Sequence, residues 1–114
     1  MNQPVPSVTI EQINKILRRE FPFNIQKALE ILKQYSSNGK YRVWAAIIKL
    51  SERDLNKLQE NTNTAINDYR DILANAEYPE YTLKVGFDSK KFTKEEIENI
   101  YQRDQQQYLK WLNI

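Results

Sequence analysis

Apolar side chains recur at helical spacing along most of the chain. Ile10, Ile13, Ile16 and Leu17 step by three and four, which predicts a helix over residues 10–20 with one buried face. Thr9 followed by Gln12 supplies a capping box at its start. Phe21-Pro22-Phe23 ends it, because the residue before a proline avoids helical geometry, and both phenylalanines are expected to staple this turn onto the core. Ile25, Ala28, Leu29, Ile31, Leu32 and Tyr35 mark a second helix over 25–35 with Asn24 as its cap. The first two helices are expected to run antiparallel. Ser36 to Gly39 then reads as a loop in which Gly39 is free to turn left-handed.

The chain is organised around residues 42–81. Val43 to Ile48 is apolar without interruption, so the helix predicted over 40–50 is expected to be enclosed by its neighbours, with Trp44 filling space between them. Ser51 followed by Asp54 predicts a cap for a fourth helix over 52–77, closed by Pro79. Along it Leu55, Leu58, Thr62, Ala65, Tyr69, Ile72 and Ala76 step alternately by three and four, widened by Ile66 and Leu73. That heptad-like seam predicts a helix packed lengthwise on a partner. Asn61, Asn63 and Asn67 with Thr62 and Thr64 are weak helix formers and make its middle soft. Residues 78–93 read as irregular, with Tyr81 to Val85 alternating as a short extended piece that Gly86 ends. Thr93 followed by Glu96 opens a fifth helix over 94–112, whose polar waist, Gln102 to Gln107, either bridges a gap or leaves only the tip to dock. The expectation is an all-α compact bundle of about five helices. It forms a single domain over 1–114, with 1–8 as a flexible lead-in and 82–114 as a C-terminal extension.

Composition narrows the function more than the fold. The 114 residues contain no histidine, no cysteine and only two glycines. Ser-His and Cys-His nucleophile systems, the usual zinc sites and a phosphate-cradling glycine loop are therefore all missing. The chain is not expected to be an enzyme or to hold a cofactor or metal. The N-terminal MNQPVPSV has neither a basic start nor an apolar stretch, and no run approaches membrane-spanning length, so a cytoplasmic location without membrane contact is expected.

The net charge of +2 is unevenly spread: eight Lys/Arg stand against three Asp/Glu over residues 1–50, three against seven over 51–81, and six against five over 82–114. The basic first half and the acidic long helix are expected to neutralise each other inside the fold. Arg42 is expected to pair with Asp68 or Asp71, which lie three apart on one helical flank. If those two aspartates are not structural, they are the candidates for a divalent ion or for acid–base work.

The stretch RVWAAIIKLSERDLNKL followed by DYRDILANAEYPEY resembles a family of short bacterial proteins of unknown function that carry similar Asp-Tyr-Arg-Asp and Ala-Glu-Tyr-Pro motifs. The resemblance covers residues 42–81 and implies a small, helical, bacterial, cytosolic protein. Arg53 stands where that pattern places glycine, which implies a more continuous junction between the third and fourth helices. No functional residue carries over from it.

Three functions compete. The first is a non-catalytic protein-interaction or scaffolding module, with a homodimer or another protein as partner. Its candidate surface is Asp68, Asp71, Glu77, Tyr78, Glu80 and Tyr81, with Tyr108 and Trp111 from the last helix. The second is a nucleic-acid binder using Lys15, Arg18, Arg19, Lys27 and Lys33. The third is a carboxylate-based enzyme or metal binder at Asp68 and Asp71.

Overall fold

The computed structural model describes residues 7–37, 39–86 and 89–113. Six α-helices follow in order among them: α1 Ile10–Glu20, α2 Ile25–Leu32, α3 Lys40–Ser51, α4 Leu55–Glu77, α5 Pro79–Lys84 and α6 Lys94–Leu112, with a single 3-10 turn over Ser89–Lys91 before α6. There is no strand among the described residues, and the fold is an all-α compact bundle. Of the lead-in expected over 1–8, residues 1–6 lie outside the described residues.

The local signals act where the sequence places them at both capping boxes. Thr9 Oγ1 accepts from Gln12 N while Gln12 Oε1 accepts from Thr9 N, at 3.2 and 2.8 Å. Thr93 and Glu96 repeat the exchange at 3.1 and 2.9 Å. Asn24 takes the cap position of α2 without a side-chain bond. Helix α2 stops at Leu32, three residues early, because Gln34 N and Tyr35 N bond back to Ile31 and Leu32 as tighter turns. Phe21 is buried, but Phe23 is 95% exposed and does not staple the turn.

Helix α3 is the core element. Every side chain from Val43 to Ile48 is buried, and Trp44 Nε1 donates to Tyr35 O at 2.9 Å. Gly39, left-handed at φ +69°, starts α3 as its cap. The junction to α4 is a sharp turn, not a continuous run. Glu52 and Arg53 are both left-handed, at φ +50° and +64°, and Asp54 caps α4 by accepting from Asn56 N and Lys57 N at 2.8 and 3.2 Å. Ser51 belongs to α3, where its hydroxyl donates to Ile47 O and accepts from Asn61 at 3.2 Å.

The seam of α4 does not run through. Asp68 is extended, at φ −156° and ψ 95°, and breaks the helix into two parts, residues 55–67 and 69–77. Just before the break, the Thr62 and Thr64 hydroxyls bond back to Leu58 O and Glu60 O, which loosens the helical ladder. Asp68 then restarts the helix, its Oδ1 accepting from Arg70 N at 3.1 Å. Leu58, Thr62, Ala65, Ile72 and Ala76 stay buried, whereas Tyr69 turns outward to 46% exposure.

The break also redirects the chain. A straight α4 would carry its last residue about 35 Å from its start, at roughly 1.5 Å per residue. By the same rise Arg42 and Lys49 lie only about 16 and 6 Å back along α3 from the α3–α4 turn. Yet Arg42 bonds Glu77, and Lys49 Nζ donates to Ala76 O at 2.8 Å. The second part of α4 therefore crosses back over α3.

Residues 79–84 form helix α5, where the sequence suggests an extended piece, and α6 docks over α4 and α5 from Ile100 onward.

Candidate functional site

The acid and tyrosine end of α4 forms an internal junction. Glu77, 2% exposed, takes a bidentate bond from Arg42, with Nε and Nη2 at 2.8 and 2.7 Å. Arg42 thus pairs with neither Asp68 nor Asp71, because the turn at Asp68 brings Glu77 back to it. Asp104, 1% exposed, accepts from the backbone N–H groups of Glu80 and Tyr81, both at 2.9 Å. These are orphan donors of the first turn of α5, so α6 caps α5 from outside. Arg103 Nε donates to Glu80 at 2.8 Å and Gln107 to Ala76 O at 3.3 Å. The polar waist of α6 therefore takes part in docking through Asp104 and Gln107, within a buried stripe of Ile100, Asp104, Tyr108 and Leu112.

Tyrosines close the same junction. Tyr101 stacks on Tyr81 with ring centres 4.7 Å apart and meets Tyr78 edge-on at 5.4 Å. Burial first, and then the Tyr81 hydroxyl, push Tyr101 up to about 12. Tyr108 is buried and stacked on Trp111, over which the Arg19 guanidinium sits at 4.9 Å. Its hydroxyl finds no partner among the described residues, and burial drives its pKa up. Arg103, and more weakly Lys84, hold the Glu80 carboxyl at about 2, well below the usual range. Burial pushes the half-buried Lys49 down. Of the surface expected from the sequence, Glu77, Tyr78, Glu80, Tyr81, Tyr108 and Trp111 thus gather here, and the contacts they make are internal.

Asp68 and Asp71 stand apart from that junction. Asp68 caps the second part of α4 and holds Arg70 through Nε at 3.0 Å, which lowers its pKa; Asp71 is exposed. No group of three or more His, Cys, Asp or Glu is placed to hold a metal ion among the described residues.

Beside the break lies a groove of about 700 Å³. Its near wall is the segment after α2 and the start of α3, with Tyr35, Gly39 and Arg42; its far wall is α4 from Ala65 to Leu73. Ile66 is 52% exposed there, beside the outward-turned Tyr69. Burial, and then the neighbouring Tyr69 hydroxyl, push the Tyr35 phenol up, against a hydrogen bond with Ser37.

The groove escapes the sequence reading, which places Ile66 and Tyr69 in the packed seam. The signal for it was present: Asp68 followed by Asp71, after a run of Asn and Thr, has the spacing of a cap and a favourably placed first-turn acid. By spacing alone the same two aspartates also look like a carboxylate pair.

The basic candidates lie elsewhere. Lys15 and Arg18 are exposed on α1, Lys27 on α2 beside a second cleft of about 550 Å³, and Lys33 just after α2. None of these four pairs with a carboxylate among the described residues. Arg19 is engaged with Glu20 at 3.0 Å and with Trp111.

No protein-family model matches the chain, and no curated protein and no solved structure shows significant similarity to it.

Proposed function

We propose that the chain is a non-catalytic protein-interaction module that receives its partner in the groove beside the break in α4. One observation carries this reading. Two of the four large apolar side chains left exposed among the described residues, Ile66 and Tyr69, line this one concavity, next to the half-buried Leu73. Scattered exposed apolar residues are ordinary, but adjacent ones lining a concave surface are what partner sites use. The absence of histidine and cysteine from the sequence supports the non-catalytic part. The test is a photo-crosslinking amino acid placed at Ile66, at Tyr69 and, as a control, at the exposed Asn14 of α1. Irradiation in the native cells is expected to give discrete protein adducts from the two groove positions and not from the control. Identical patterns from all three, or no adducts, refute the reading.

A second reading, nucleic-acid binding, draws on the four basic side chains with no carboxylate partner. The acids of α4 were expected to neutralise them, but Asp54, Asp68 and Glu77 are spent on caps and on Arg70 and Arg42. Binding through Lys15, Arg18, Lys27 and Lys33 would weaken with salt at a log–log slope of about −0.9 per phosphate contacted. A gel shift absent at low salt ends this reading.

A further inference from the structure

The groove carries charge as well as apolar surface, and the charge is arranged for a particular kind of partner. Arg42 and Arg70 both line it. Each guanidinium is held in the same way. Arg42 gives its Nε and Nη2 to Glu77, and Arg70 gives its Nε and Nη2 to Asp68. The Nη1 group of each donates to nothing among the described residues. Glu77 lies behind Arg42, itself buried, so the lining presents two cations against one carboxylate, Asp68.

An arginine already fixed by a carboxylate has lost most of its side-chain freedom before a partner arrives, so less entropy is lost when its outer edge is used. The planar fork of the guanidinium matches a carboxylate. The same lining carries apolar surface, the exposed Ile66 and Tyr69 and the half-buried Leu73, alongside the polar Ser37 and Asn67. A small inorganic anion would use the forks and waste the apolar wall; a purely apolar segment would bury the forks unpaired, which is costly.

We infer that the groove takes an acidic peptide segment of a partner protein, with an apolar side chain seated on Ile66, Tyr69 and Leu73 and carboxylates meeting Arg42 and Arg70. This deepens the interaction reading above and rests on it.

The test uses the full chain and two sets of fluorescent twelve-residue peptides, each with Leu or Phe at the centre. In one set the flanking residues are Asp and Glu; in the other they are Lys and Arg. Binding is followed by fluorescence anisotropy at low and moderate salt. The acidic set is expected to bind at least tenfold more tightly than the basic set. Arg70→Glu is expected to remove that preference, and Ile66→Asp to weaken binding of the acidic set tenfold or more. Both substituted side chains are exposed, so unchanged melting temperatures will show that the variants fold. Lys15→Glu, on α1, is expected to leave binding of the acidic set unchanged.

Equal binding of both sets, no binding of either, or loss of acidic binding with Lys15→Glu equal to that with Arg70→Glu overturns the inference. Crosslinking from Ile66 and Tyr69 is read separately. If those positions still give discrete adducts while the acidic peptides fail, the groove is a partner site of other chemistry, and only the acidic-segment inference falls. If crosslinking also fails, the interaction reading falls with it.

Discussion

Glu77 is a deeply buried member of an ion pair, 2% exposed, and Arg42, whose side chain is 43% exposed, is its cation. That asymmetry makes the two single truncations unequal. Arg42→Ala leaves a carboxylate in a site 2% open to solvent, and breaking a buried pair from one side costs about 3–5 kcal/mol. Because Arg42 itself reaches water, its removal lets some solvent approach Glu77, so the lower end, about 3 kcal/mol, applies. Glu77→Ala frees an arginine that can turn outward, and costs only the charged hydrogen bonds, about 1.5–2 kcal/mol. The double variant should cost clearly less than the sum, with a coupling of about 2 kcal/mol.

For 114 residues the entropy of unfolding is about 240 cal/mol/K, so 1 kcal/mol moves the melting temperature by about 4 °C. Arg42→Ala is thus expected to melt about 12 °C below wild type and Glu77→Ala about 6–8 °C below. Asp71→Ala, at an exposed position, should stay within about 2 °C. Calorimetry or circular dichroism of the four proteins checks this. If Arg42→Ala falls no further than Glu77→Ala, or if the double variant is additive within about 0.5 kcal/mol, the buried-carboxylate account is wrong. If Asp71→Ala is the variant that melts low, the pairing suggested by the sequence is right after all.

Three further outcomes are expected. Arg53→Gly relieves one left-handed residue, and gives up only a 3.4 Å contact from a largely exposed arginine to Glu20, so it should stabilise by about 0.5–1 kcal/mol, read as a rise in the denaturation midpoint; a fall would refute the strain account. Glu80 has a folded pKa of about 2, depressed from 4.5 mainly by Arg103, so its contribution is present above 4.5 and is lost as pH falls towards 2. The gap in melting temperature between wild type and Glu80→Gln should therefore close over that window, whereas a constant gap would mean that Glu80 acts by packing alone. Tyr108→Phe removes a buried hydroxyl with no partner and should be neutral or stabilising by up to about 1 kcal/mol; a loss of 2 kcal/mol in chemical denaturation would mean that the hydroxyl is bonded.

What the sequence reveals of the fold is what short-range chemistry decides. The boxes at Thr9 and Thr93, the uninterrupted apolar run of α3 and the left-handed Gly39 each depend on residues within two helical turns, and the structure places them as read. Helix α5 shows the opposite case. Tyr81, Thr82 and Val85 favour extended chain by themselves, and six residues cannot hold a helix in water. Asp104, more than twenty residues later, supplies the two acceptors that its first turn lacks, so part of what holds α5 comes from α6. The waist of α6 reads as bridging a gap or leaving only the tip to dock for the same reason. Its polarity serves backbone groups of α4 and α5 whose positions a one-dimensional pattern does not contain.

The groove was hidden by a regularity that is real in sequence and absent in space. Steps of three and four from Leu55 to Ala76 are satisfied by a straight helix, and nothing in that periodicity records that Asp68 leaves the helical region. The break has a local cause, the run of Asn and Thr ending at an aspartate that can cap, but that cause only makes a bend inexpensive. Its direction comes from tertiary contacts. Arg42 and Lys49 are seven residues apart on α3, and both are satisfied at the end of α4. Arg42 therefore does two things at once. Its inner edge fixes the returning half of α4 through Glu77, and its outer edge lines the groove that the return leaves open. A straight α4 would carry Glu77 away from Arg42 and remove the break beside which the groove lies. The candidate site is a consequence of how this core is completed: the acids and tyrosines of the AEYP end close the internal junction, and the groove opens beside it.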